Sequence, residues 1–224
     1  MTGKQHQPLS AIVRTMLVLA LLSTASVAVT AERKGNEKAR AALESAEAYI
    51  TQKNWRSARV ELLNATTADP RSAKAHLRLA EVALHLFDGV AAKAELQRAE
   101  ALGVDGEQIA HLKGHALWLS GDLEQAEAIL SRSPIAREHL PYAYRILGRV
   151  QMARGDTAAA STTFEQGLAL APNDSQLWTE IGRLRIVISN QGGAIQALDR
   201  AVELDPANIR ALELRGRMVR TQFG

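Results

Sequence analysis

Ala58, Ala92, Ala126, Ala160 and Ala194 stand 34 residues apart without a slip. A fixed period of that length means stacked copies of one small unit, none of which can bury its apolar face alone. Four residues after each alanine comes a large apolar side chain: Leu62, Leu96, Leu130, Phe164 and Leu198. Ala65, Ala99, Gly167 and Ala201 follow three later, so all three positions fall on one helical face. A second column of small residues, Ala46, Ala80, Gly114, Gly148, Gly182 and Gly216, lets two helices approach closely. Between the columns lie Lys53-Asn54-Trp55, Asp88-Gly89, Gly121-Asp122-Leu123, Gly155-Asp156 and Asn190-Gln191-Gly192. Each breaks the 3.6-residue pattern near mid-repeat, so the unit is helix, turn, helix. Aromatic residues make up only 4% of the chain, which argues against a β-sandwich and for an all-α fold.

Pro70, Pro172 and Pro206 close three of the units, where a fixed φ and a missing N–H end the second helix. With Trp178, Gly182, Ala194, Leu198, Ala201 and Pro206 in place, the stretch Leu177–Pro206 resembles the tetratricopeptide repeat (TPR). The resemblance covers Ala39 to Gly224, with repeats at 39–72, 73–106, 107–140, 141–174, 175–208 and a partial 209–224. It implies a right-handed superhelical solenoid of helix-turn-helix repeats whose concave groove holds a partner. Val104 and Glu138 occupy two of the positions where the repeat places proline. Pro134 falls inside the second helix of the third repeat, which is predicted to stop near Ser131.

The run SARVELLNATTADPRSAKAHLRLAEVAL, followed by AEALGVD and the proline-broken third repeat, is also similar to TPR proteins associated with bacterial exopolysaccharide export and PEP-CTERM sorting. That similarity implies an accessory role at an anionic polysaccharide.

Lys4 and Arg14 precede an uncharged run, Thr15 to Ala31, and Glu32, Arg33 and Lys34 then restore polarity. This is the order of a secretory signal, with small residues for cleavage after Ala31 or Ala28. Residues 1–31 are therefore expected to be a signal peptide, or else an N-terminal anchor, and 32–38 a short linker. The mature chain is expected in the periplasm or secreted, or held at the inner membrane facing the periplasm if the segment is retained. The total charge of +3 is misleading about partners. Without Lys4 and Arg14 the 27 basic residues fall to 25 against 24 acidic ones, so nucleic acid is not an expected partner. With no cysteine there is no disulfide, no thiolate metal site and no lipidated anchor.

No phosphate-binding glycine loop, nucleophile elbow or His-Glu-x-x-His helix occurs, so no catalytic residues and no cofactor are expected. His111 and His115 have the i, i+4 spacing that can place two imidazoles on one ion. Leu112 stands where a metalloprotease helix carries its Glu, and no third ligand lies nearby, so no metal is assigned. Trp118, one turn further, is either a peptide anchor or a packing residue.

The polar column at the ninth position of each first helix reads Glu47, Glu81, His115, Arg149, Arg183, Arg217. In this repeat class the position faces the groove, and the sign changes once along it. Arg145 adds to the basic end. The column is a candidate for binding an acidic protein or peptide segment, or a carboxylate-bearing glycan. The competing expectation is internal pairing of Arg149 and Arg183 with Glu180 and Glu213 as solvated pairs. Arg149 and Arg183 are expected outside the packed core. Leu212, Leu214, Met218 and Phe223 are expected to lack a covering helix, the alternative being that their own helix, with Arg210, Arg215, Arg217 and Arg220, is the cap of the array.

Overall fold

The computed structural model of the protein describes residues 33–223, with side chains as far as Arg220. The run Thr15–Ala31, its cleavage sites and the Phe223 side chain lie outside the described residues. Helix α1 covers 33–51, followed by α2 (Trp55–Ala68), α3 (Ala73–His85), α4 (Gly89–Ala101), α5 (Gly106–Leu119) and α6 (Leu123–Arg132). A single 3-10 turn, Arg137–His139, leads into α7 (Leu140–Ala153). Then come α8 (Thr157–Leu170), α9 (Ser175–Val187), α10 (Gln191–Leu204) and α11 (Ile209–Phe223). Among the described residues there is no strand, and no helix is long and apolar enough to cross a membrane.

The described residues divide into two compact units, one up to Arg71 and one from Ser72 onward. In the first, α1 and α2 bury Ala39, Ala46, Ala58, Leu62 and Ala65. The stretch expected as a linker, 32–38, is already helical from 33. A side chain at Gly35 would lie 3.0 Å from the Ala68 carbonyl, so its missing Cβ lets α1 run this far beside the end of α2.

The second unit is a solenoid of helix pairs. Each cluster of its core joins elements adjacent in sequence: Ala80, Ala83 and Leu84 of α3 meet Leu96 of α4 and Ile109, Leu112 and Ala116 of α5. Leu130 of α6 meets Leu117 of α5 and Ile146, Leu147 and Val150 of α7. Phe164 of α8 packs with Leu177, Ile181 and Leu184 of α9. The two columns of the sequence thus meet as knob and gap, Leu130 over Gly114, Phe164 over Gly148, and Leu198 over Gly182.

The five mid-repeat turns share one backbone solution. Lys53, Phe87, Gly121, Gly155 and Ser189, again 34 apart, all have positive φ, at 55°, 60°, 83°, 86° and 60°. The next residue, Asn54, Asp88, Asp122, Asp156 or Asn190, then caps the second helix by accepting the amide three positions on. The left-handed residue reverses the chain and the cap supplies the acceptor that the helix start lacks.

Helix α6 ends at Arg132, one residue beyond the predicted stop, and Pro134 lies in the extended segment that follows. Proline cannot donate to the helical ladder, so this second helix has 10 residues where α4, α8 and α10 have 13 or 14.

At the C-terminal side, Leu214 and Met218 are buried against Ala194, Leu198 and Ala201 of α10, contrary to the expectation that they lack cover. The face left open is the one carrying Ile209 and Leu212, which are 79% and 43% exposed. Asn208 joins α11 to α9: its amide nitrogen donates to Ser175 Oγ at 2.7 Å and Thr179 Oγ1 at 2.9 Å. Its carbonyl oxygen accepts from the Ala211 amide at 3.1 Å. Ser175 Oγ in turn donates to the Ala201 carbonyl, so this buried polar group is satisfied on every side.

Candidate binding site

Three first helices, α5, α7 and α9, carry most of the candidate residues. Residues at i, i+3, i+4 and i+7 share one side of a helix, which places His111, His115 and Trp118 on α5 opposite Tyr142, Arg145 and Arg149 on α7. His115 Nδ1 is hydrogen-bonded to the Tyr142 hydroxyl. The His115 ring also lies 5.7 Å, centroid to centroid, from both Tyr142 and Trp118. His111 stacks on His139 at 4.0 Å and meets Tyr142 edge-on at 5.2 Å. The Arg145 guanidinium sits 4.9 Å from the centre of the Tyr142 ring, and that of Arg149 sits 4.1 Å from the centre of Trp118. Each cation thus has an aromatic floor, attracted by the negative face of the ring. Trp118 is half-buried and packs on the core formed by α5, α6 and α7.

The surroundings tune these groups. Burial, followed by the charges of Arg149 and Arg145, lowers the His115 pKa to about 3. Burial and the neighbouring His139 lower that of His111 to about 3. Both imidazoles are therefore neutral at ordinary pH, and a neutral ring keeps one nitrogen as an acceptor. Burial raises the Tyr142 phenol to about 12, so it remains a hydrogen-bond donor. Among the described residues no three His, Asp or Glu side chains gather as a metal-ligand set.

Glu180 of α9 lies between two of the arginines. Its carboxylate oxygens are 3.5 Å from Arg149 Nε and 3.5 Å from Arg183 Nε. The internal pairing is real, but it is not solvated: the Glu180 side chain is 7% exposed and that of Arg149 18%. Glu180 sits at the i−3 position from Arg183 on a face covered by α7, and this encloses the pair. Glu213 does not join it; it contacts Arg210 at 3.0 Å and Arg217 at 3.5 Å on its own helix. Arg149 and Arg183 are therefore half-buried partners of a buried carboxylate, and not fully solvated residues.

The rest of the column is placed elsewhere. Arg217 is on α11, half-exposed beside Glu213. Glu81 of α3 is 2.7 Å from Arg78, and its charge still acts on the Tyr142 phenol. Glu47 belongs to α1 of the first unit, where its carbonyl accepts from the Thr51 hydroxyl. Tyr142 and His139 were missed in the sequence. The signal for Tyr142 was its i+3 and i+7 spacing to Arg145 and Arg149, which sets all three on one side of α7.

Comparison with known proteins gives a consistent fold. Residues 147–218 match a family model described as tetratricopeptide repeat. Among solved structures, Pseudomonas aeruginosa pilF is 25% identical over 84% of this chain and 86% of its own, with a TM-score of 0.59. A thermophilic TPR protein of Thermus thermophilus is 18% identical, covers 83% of this chain and 100% of its own, and has a TM-score of 0.69. YrrB, described as a TPR protein with an unusual peptide-binding site, is 18% identical over 82% of this chain and 95% of its own, with a TM-score of 0.50. No curated protein sequence matches the chain.

Proposed function

We propose that this tetratricopeptide-repeat protein is an exported, non-catalytic scaffold that holds an acidic segment of a partner protein against α5, α7 and α9. The observation that carries the reading is a charge imbalance: Arg149 and Arg183 share a single carboxylate, Glu180, while Arg145 adds a third like charge that acts on Arg149. Guanidinium groups suit carboxylates because their forked donors match two oxygens, and a partly enclosed site strengthens the contact. Half-buried Tyr142 and Trp118 border the cations with flat, weakly polar rings against which an extended segment can lie, and buried, neutral His111 and His115 pack against those rings. The peptide-binding site described for YrrB is a precedent for such use of the fold. Export belongs to the same reading and is supported by Lys4, Arg14 and the apolar run Thr15–Ala31.

A glutamate-rich peptide and its glutamine counterpart, titrated against the mature chain at low and physiological salt, test the proposal. The acidic peptide should bind, weaken as salt screens the contact, and lose most of its affinity with Arg145→Gln. Equal binding of both peptides, indifferent to salt, would overturn it. A uronic-acid oligosaccharide run in parallel separates a protein partner from an anionic polysaccharide.

A further inference from the structure

We propose that Glu180 is an internal competitor for the anion seat of Arg149, and so sets how strongly the arginine cluster takes an acidic side chain from outside. The inference rests on the acidic-segment reading and adds a residue that limits it.

The contacts of Glu180 are close enough for attraction and poor as hydrogen bonds. Arg149 Nε, Arg183 Nε and Glu180 Oε2 are all buried and have no hydrogen-bond partner. A carboxylate committed to one arginine accepts two short parallel bonds from its fork. Here one carboxylate is divided between two guanidiniums, each approached only at 3.5 Å through Nε. Arg145, one turn before Arg149, has its guanidinium over the Tyr142 ring, and its own buried Nε is without a hydrogen-bond partner. Arg145 and Arg183 both act on Arg149 with like charge, and Glu180 opposes them. The cluster therefore holds three cations, one shared anion and several unused donors. An incoming carboxylate would meet Arg145 without rivalry, whereas at Arg149 it must share the guanidinium with Glu180.

Charge alone and competition for a seat make different predictions. Replacing Glu180 by Gln removes both the competitor and a negative charge. Replacing Glu180 and Arg183 together by Gln removes the competitor and leaves the local net charge unchanged. The experiment is fluorescence anisotropy with a labelled hexaglutamate peptide on the wild type, Glu180→Gln, the Glu180→Gln/Arg183→Gln double variant and Arg145→Gln, with circular dichroism on each. Glu180→Gln should bind about tenfold more tightly, and the double variant should also exceed the wild type. Wild-type affinity in the double variant would overturn the competitor role, even if Glu180→Gln alone binds better, because the field would then account for everything. If Glu180→Gln does not fold, the double variant, with no half-buried arginine left unpaired at 183, decides the matter. Failure of every form to bind the peptide overturns the acidic-segment reading, and this inference with it. Wild-type binding that is lost in Arg145→Gln but not tightened in the double variant overturns this inference alone.

Discussion

A methyl group on Gly182 would lie 2.7 Å from Cδ2 of Leu198. Leu198 is fully buried, so it fills the volume a side chain on α9 would need, and the absent Cβ is what lets α10 seat against α9. Gly216, one repeat later, meets no atom within 4 Å. The same substitution should therefore have opposite signs at the two sites. Gly182→Ala is expected to cost about 1 to 2 kcal/mol, because overpacking outweighs the gain of about 1 kcal/mol in helix propensity. Gly216→Ala should gain up to about 1 kcal/mol. Urea midpoints of the two variants check this, and the further cost of Gly182→Ala should be smaller in a Leu198→Ala background, although Leu198→Ala is itself destabilising.

Phe87 adopts φ 60° in a mid-repeat turn where two other repeats carry glycine, and its side chain is 72% exposed. Left-handed backbone costs an ordinary residue roughly 1 kcal/mol, and little apolar burial is at stake here. Phe87→Gly is expected to raise the urea midpoint by an amount equivalent to about 1 kcal/mol. The reciprocal change, Gly155→Phe, should lower it.

The acid limb of stability should report the buried histidines. His111 and His115 titrate near 6.5 when unfolded and near 3 when folded. The unfolded chain therefore binds more protons between these values, so stability rises with pH through that window and is level above about 7. The limit is about 1.4 kcal/mol per pH unit for each histidine. Denaturation midpoints from pH 4 to 8 should show this slope, and His115→Gln should flatten it.

Arg149→Glu is not a clean binding probe. It would set a new carboxylate against Glu180, which is 7% exposed, and breaking a buried pair costs about 3 kcal/mol. The variant should lose thermal stability as well as ligand. Arg145→Gln, which leaves Arg149–Glu180–Arg183 intact, should lose ligand with a change in midpoint equivalent to less than about 1 kcal/mol.

The repeat was legible because a 34-residue period repeats both halves of each contact, as with Gly148 and Phe164. Pro134 likewise announced the early end of α6, since its effect on a helix is local. The site was legible only in its charges. Glu180 was visible as a counter-charge, yet its enclosure by α7 depends on how neighbouring helices stack, which spacing within one helix does not encode. The bond between His115 and Tyr142 spans 27 residues and a proline-broken segment, so no periodic signal links them. Leu214 and Met218 looked uncovered because cover was sought from a following helix, whereas α10 of the preceding repeat supplies it.

Asn208 starts α11 and fastens it with the same side chain, one end holding the Ala211 amide and the other reaching Ser175 and Thr179. A surface helix ordinarily frays inward from its first turn while its middle stays in place. Here the first turn cannot unwind without releasing its hold on α9, and the hold cannot break without freeing the first turn. Loosening of this helix should thus be a single detachment event, with the amides of residues 211–214 exchanging at one common rate.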